Sequence, residues 1–160
     1  MVLIHLAKSG LLESSCQYFG YVTIPEAVFK ETVEVGKQKG FPDANVIEQQ
    51  IMSENIKVQK IKQKELITKA NEFNIFDGEA EAVALYWQEK AELLATDDEN
   101  VRNKKEILKI SVVGTPAIIM EMFKAKKISG TEVHQAISIL KKNAWFSTTT
   151  FDKMRQGVNE

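Results

Sequence analysis

The chain has 160 residues, of which 44% are hydrophobic, so it is long enough to bury one substantial core and too short to favour two domains. Its formal net charge of −1 excludes a global positive field, and any nucleic-acid site must therefore be a local patch. One cysteine excludes an intramolecular disulfide, and no apolar run reaches the roughly 18 residues of a membrane span, so we expect a soluble, cytoplasmic, single domain over residues 1–160.

The first half of the chain alternates apolar helices with short β-rich runs. Residues 3–12 are rich in leucine and fit a strand or a helix, and we favour a helix. Tyr21–Ile24 is β-rich and stops at Pro25, whose fixed φ suits the first turn of a following helix. The other predicted elements of this half are a helix over 46–51 capped by Asp43, a strand over 56–58 and a helix over 66–73.

The second half begins with the most regular helix pattern, which we expect Asp77 to cap. Its apolar stripe has the i, i+3, i+4, i+7 spacing of a core-facing surface. Residues 93–96 and 110–113 read as buried strands, and Thr115 is expected to cap the helix after the second one. The chain closes with a helix over 131–142 and a helical tail from about residue 145 whose aromatic residues could dock on the body.

Strands that alternate with helices predict an α/β fold with a mainly parallel central sheet. Ligands of such sheets bind outside the carboxyl ends of the strands. We therefore expect the chemistry of the protein to lie at that edge.

Acidic residues from three segments fall near the expected carboxyl edge. Glu31 lies in the helix after Pro25, Glu79 and Glu81 open the regular helix, and the Asp97–Asp98 pair follows a buried strand. Each acid alone is ordinary on a helix surface or at a helix start. Carboxylates that share a small volume repel one another, and hard divalent cations with oxygen ligands relieve that repulsion.

Helix geometry discriminates between neighbouring acids. Glu79 lies in the first turn, where a carboxylate simply complements the helix dipole, and Glu81 is about 200° further round the helix, so the two cannot easily ligate one ion. We favour Glu81. One acid of the Asp97–Asp98 pair is expected to cap the next helix, and we favour Asp98 as the one that faces the site.

An ordered set of sequence blocks resembles the PIN-domain family, in particular the compact prokaryotic branch with a GEAEA helix that includes the VapC-like ribonucleases. The resemblance runs from about Val2 to about Leu140, and no block is decisive singly. The blocks are Val2–Ala7, Ile24-Pro25 with Val28 and Glu31, Gly78–Ala82, Thr96–Asp98 and Val113–Thr115.

The resemblance implies a three-layer α/β/α sandwich and a Mg²⁺- or Mn²⁺-dependent endoribonuclease that cuts single-stranded RNA. Such proteins are often the toxin of a toxin–antitoxin pair, so an antitoxin and a second copy of the chain are expected partners. The implied catalytic and metal-binding residues are Glu31, Glu81 and Asp98, with Glu79 and Asp97 as alternates.

The chain departs from the family pattern at its start. The resemblance places the family's first acid, and the strand before it, upstream of Met1, so we expect the domain to be N-terminally incomplete. Alternatively, Glu26 or Asp77 takes the place of that acid. A further alternative is a catalytically impaired module that keeps the fold and binds RNA or a protein partner.

The histidines and the basic residues of the chain allow other roles. His5 and His134 are far apart and have no cysteine partners nearby, so a structural zinc site is not expected, and packing is their default role. Basic residues concentrate in the C-terminal half, where they fit either phosphate contacts or a hydrated helical surface. These are Arg102, Lys104, Lys105, Lys109, Lys124, Lys126, Lys127, Lys141 and Lys142.

Overall fold

The computed structural model describes residues 1–159. The leucine-rich start is helical, as predicted, but it forms two helices, α1 (Val2–Lys8) and α2 (Leu12–Phe19). Gly10 separates them with a φ of +70°, a conformation that glycine adopts without steric cost. The two helices pack against each other at the N-terminal side of the main core.

The predicted strand-to-helix unit follows. β1 (Val22–Pro25) leads into a helical segment in which a π-helical stretch lies between two α-helical pieces. These pieces are α3 (Glu26–Phe29), the π-helical segment Lys30–Val35 and α4 (Gly36–Gln38). The next elements are α5 (Pro42–Met52), β2 (Ile56–Gln59), α6 (Glu65–Asn71) and α7 (Asp77–Glu89).

The second half contains two very short strands and five helices before the end of the described chain. β3 (Leu94–Ala95) is followed by α8 (Glu99–Asn103) and α9 (Lys105–Leu108), and β4 (Val112–Val113) by α10 (Thr115–Lys124). The last helices are α11 (Gly130–Asn143) and α12 (Thr148–Asn159).

The strand pairing is parallel, as expected, but it does not form one central sheet within residues 1–159. β1 pairs with β2, with Val22 opposite Ile56, and β3 pairs with β4, with Leu94 opposite Val112. No strand in this part of the chain joins β1 to β3 by hydrogen bonds, so two small sheets replace the single sheet that we predicted. The fold is a mixed α/β structure dominated by helices.

Three residues predicted to cap helices lie inside their helices. Asp43, Asp77 and Thr115 belong to the first turns of α5, α7 and α10, and none of the three helices has a side-chain cap hydrogen bond. In each case an extended residue, two positions before Asp43 and one position before Asp77 and Thr115, takes the N-cap position. The residues at these positions are Phe41, Phe76 and Gly114.

The core consists of two clusters of buried apolar side chains. The larger one joins the N-terminal helices to α10, α11 and α12, and the smaller one surrounds α7 with α6, β3 and α8–α9. Phe151 and Met154 of α12 are 3% and 2% exposed, so the C-terminal tail docks on the body as the sequence suggested. No helix within residues 1–159 is long and apolar enough to cross a membrane.

Candidate metal and nuclease site

A cavity of about 550 Å³ is lined by two of the predicted metal-binding acids, Glu31 and Glu81, and by Asp77, one of the two alternatives for the family's first acid. Its walls come from the helical segment after β1, from α6 and from the first turns of α7. Glu31 reaches it from the π-helical segment and Glu81 from α7, so two acids that are 50 residues apart in the sequence share one space. π-helical turns recur at functional sites, which agrees with the position of Glu31.

Glu81 is fixed in the cavity by the backbone. Its Oε2 accepts a hydrogen bond of 3.0 Å from the amide of Ala27, in the first turn of α3. This bond leaves Oε1 without a protein partner in the described chain and available to a ligand. Glu79 does not line the cavity, in keeping with the rotation of about 100° per residue around a helix.

Gly78 makes room for the Glu31 carboxylate. A Cβ atom at this position would lie 3.1 Å from Glu31 Oε2 and 3.6 Å from a methyl group of Val28. The first of these distances is tighter than an ordinary van der Waals contact. A glycine here therefore lets the start of α7 approach the carboxylate closely.

The two aspartates after β3 have the reverse of the expected capping roles. Asp98, favoured as the free acid, is the N-cap of α8, and its Oδ1 accepts a hydrogen bond of 2.8 Å from the amide of Val101. Asp97 instead points into the body of the protein. Its Oδ1 accepts from the Thr115 amide at 2.7 Å, and its Oδ2 accepts from Thr115 Oγ1 at 2.6 Å.

A second partner of Asp97 is His5, which comes from α1. His5 Nδ1 lies 2.8 Å from Asp97 Oδ2, and because a carboxylate can only accept, the ring proton is on Nδ1. The ring packs edge-on against Phe146, with 5.5 Å between ring centroids, and Nε2 is buried without a hydrogen-bond partner among the described residues. No local pattern in the sequence indicates this pair, because 92 residues separate the two side chains.

Opposing effects set the pKa of Asp97. Burial acts to raise the pKa, but the hydrogen bonds from His5 and Thr115, together with the charge of His5, outweigh it and leave the pKa below its ordinary value. Gly114 contributes by its lack of a side chain, since a Cβ there would lie 3.0 Å from Asp97 Oδ1 and would clash with the Arg102 guanidinium. The backbone, Arg102 and Asp97 therefore pack closely.

A family model described as a PIN domain matches residues 1–160. The chain belongs to the PIN-domain family. Comparison with curated proteins and with solved structures yielded no match. The PIN domain is a nuclease-type fold, and its members generally use divalent metal ions.

In this PIN domain, three acidic residues line the cavity, Glu31, Asp77 and Glu81, and two of them come from separate segments. Mg²⁺ is usually held by one or two carboxylates and keeps several waters, so Glu31 and Glu81 fit such an ion. Neither Asp97 nor Asp98 lines the cavity, and within residues 1–159 no three His, Cys, Asp or Glu side chains are grouped closely enough to hold a metal. The structure thus brings together Glu31 and Glu81 and leaves the aspartate pair apart.

Two of the predicted basic residues of this PIN domain have partners within the protein. Lys104 donates to the carbonyl of Phe73, and the Lys141 ammonium lies 5.6 Å from the ring centroid of Phe151.

The single thiol of the chain, Cys16, is buried. Burial, together with the nearby charge of Glu13, raises the pKa of this thiol to about 11, which rules out a reactive thiolate at neutral pH.

Proposed function

We propose that this PIN domain is a metal-dependent endoribonuclease of the VapC-like type that cuts single-stranded RNA at the Glu31–Glu81 cavity. The observation that carries the proposal is the convergence of two carboxylates from separate segments on one open cavity, with a glycine that makes room for one of them. Carboxylates placed together in this way favour a divalent cation between them.

Each residue has a distinct part in the proposed site. Glu81 offers Oε1, because its Oε2 is occupied by the Ala27 amide, and Glu31 offers the carboxylate that Gly78 accommodates. A Mg²⁺ or Mn²⁺ ion, when bound, supplies Lewis-acid activation of water against a phosphodiester. Asp98 is the proposed third acid, with Asp97 and Glu79 as alternates; Asp98 keeps Oδ2 free of protein partners in the described chain while Oδ1 caps α8.

The wider assignments are parts of the same proposal. The two parallel strand pairs would belong to the middle layer of the three-layer sandwich of the family. A single-stranded RNA substrate, an antitoxin partner and a homodimer follow from the VapC-like resemblance.

The test is cleavage of a labelled single-stranded RNA in the presence of Mn²⁺ and in the presence of a chelator. We expect cutting that the chelator stops and that Glu81→Gln slows on the order of 10²-fold, because the amide keeps an acceptor for Ala27 but carries no charge. Glu34→Gln is the matched control, since Glu34 lies on the same π-helical segment as Glu31 and does not line the cavity. Equal cutting by Glu81→Gln and the unaltered chain would contradict the proposed site.

A second candidate function is an impaired PIN-fold module that binds RNA or a protein partner without cutting. One observation favours it: the third acid does not join Glu31 and Glu81 in the described residues. RNA binding that survives the chelator, with no cutting under any metal condition, is the result expected of this module.

A further inference from the structure

Phe76 is a large apolar side chain that the fold leaves at the mouth of the candidate site. It is 55% exposed, whereas its neighbour Ile75 is 2% exposed and belongs to the smaller core cluster. Phe76 also lines the cavity that contains Glu31 and Glu81. The packing of the protein does not require an aromatic ring at this position, which suggests that the ring serves a ligand.

The chain has left-handed residues on both sides of Phe76. Asn74 and Asp77 both have left-handed conformations, with φ of +56° and +52°, although neither is a glycine. Phe76 lies between them in an extended conformation and forms the N-cap of α7. Asn and Asp adopt this conformation more readily than other residues that carry a side chain.

The same rim provides a cation. Lys30 lines the cavity beside Glu31, is exposed, and makes no ion pair within residues 1–159. An exposed aromatic ring, an ammonium group and the carboxylates of Glu31, Asp77 and Glu81 thus border one opening. Proteins that hold single-stranded nucleic acid combine stacking rings with cations that contact the backbone phosphates.

We propose that Phe76 stacks against a base of single-stranded RNA at the mouth of the cavity, and that Lys30 contacts an adjacent phosphate. This inference rests on the proposed function, because it assigns the substrate-binding surface of the same site. A stacked base beside the carboxylate pair would place the neighbouring phosphodiester over Glu31 and Glu81. Phe76 is then a substrate-binding residue, and the sequence tolerance of stacking predicts little base preference at this position.

The experiment measures the Kd of a fluorescent single-stranded RNA in chelator, where no cutting occurs, for the unaltered chain and its variants. Phe76→Leu should weaken binding about 5- to 150-fold, the range for loss of one stacked base, whereas Phe76→Trp should retain it. Phe41→Leu is the control, because Phe41 is 49% exposed and lies outside the cavity. An unchanged melting temperature for each variant confirms that it is folded.

Lys30→Gln provides an independent readout. Loss of one phosphate contact should reduce the slope of log Kd against log salt by about 0.7, a change that Phe76→Leu should not produce. The steady-state parameters in Mn²⁺ should show a raised KM for both variants.

The outcomes separate this inference from the proposed function. If Phe76→Leu binds RNA as tightly as the unaltered chain does, the stacking role is overturned, even if Glu81→Gln slows cutting as expected. If the protein never cuts RNA but its RNA binding depends on Phe76, the RNA-binding surface is supported and the proposed nuclease activity is contradicted. An unaltered chain that binds no single-stranded RNA overturns the inference.

Discussion

Asp97 is a buried carboxylate that joins three segments distant in the sequence. Its side chain is 6% exposed and accepts three hydrogen bonds, two from Thr115 and one from His5. Burial alone would favour the neutral acid, but these donors favour the charged form and keep the pKa of Asp97 lowered. The carboxylate therefore remains ionised and ties α1 and α10 to the end of β3.

We expect Asp97→Asn to lower the free energy of unfolding by about 1–3 kcal/mol at neutral pH, because the amide nitrogen cannot accept from Thr115 Oγ1 or His5. The contribution of Asp97 is fully present above the ordinary carboxyl value of 3.8 and is lost as the pH falls through the lowered pKa of the folded state. Urea unfolding at decreasing pH should show that the difference in the free energy of unfolding between the two proteins disappears in acid.

Asp98→Asn is the matched control for that series. Asn is as good an N-cap as Asp, so the bond to the Val101 amide is kept and the stability should change little. A larger loss for Asp98→Asn than for Asp97→Asn would contradict the roles assigned to the pair.

The sequence could indicate which of two neighbouring acids faces the site only where the geometry of a single helix separates them. Glu79 and Glu81 lie on one helix, so the helical rotation was enough to favour the residue that enters the cavity. Asp97 and Asp98 follow the same strand, and what separates them is contact with His5 and Thr115, which are far away in the chain. No local pattern contains that information.

At the scale of elements, α7 ends on a residue in an unfavourable conformation. Lys90 follows the helix with a φ of +51°, and its amide donates to the carbonyls of the last turn. The left-handed region costs roughly 1–2 kcal/mol for a residue with a Cβ, while glycine loses about 0.5–1 kcal/mol more conformational entropy on folding. The difference favours glycine at this helix end.

Lys90→Gly should therefore raise the free energy of unfolding by about 0.5–1 kcal/mol, measured by urea denaturation. Lys90→Ala separates the backbone effect from the loss of charge, because alanine keeps the left-handed cost and should stay within about 0.5 kcal/mol of the unaltered chain. Equal stabilisation by both variants would show that the charge, and not the backbone, is responsible.

The sequence predicted the presence of the helices better than the residues at which they begin. The apolar stripe of α7 was enough to find the helix, whereas Asp77, a favourable cap residue, lies inside it with a φ of +52°. Thr115 likewise donates its hydroxyl to Asp97 and does not cap α10. Caps respond to the conformation of the preceding residue and to distant partners, and composition alone does not reveal either one.

At the scale of the molecule, two buried clusters raise the question of whether the chain unfolds as one unit. α7 links them, since it carries core residues of the smaller cluster and also packs against β1 and α3. Because the connecting elements are short and mutually packed, we expect one domain over residues 1–160 and a single cooperative transition.

Trp87 is a natural probe of the smaller cluster, and its indole donates to the carbonyl of Leu108. In a Trp145→Phe background, which changes only a fully exposed ring, the fluorescence of Trp87 and the far-UV circular dichroism should change at the same urea concentration. Earlier loss of the fluorescence signal would mean that the smaller cluster unfolds by itself.

The overall class followed from the sequence, but the sheet arrangement did not. Each strand has only 2–4 residues, and its β-rich composition indicates a strand without naming its neighbour. The observed pairs join β1 to β2 and β3 to β4, and the prediction of one sheet required a contact between β1 and β3 that no local pattern specifies.

The most direct test of the proposed site is a double-variant cycle on single-turnover cleavage of single-stranded RNA in Mn²⁺. If Glu31 and Glu81 hold one ion, each single change to Gln should slow cutting on the order of 10²-fold, the scale for loss of one charge-stabilising group. The double variant should then be no slower than the slower single variant, because residues that act as a unit are not additive. Unchanged cutting by either single variant, or losses that multiply in the double variant, would contradict a shared metal site.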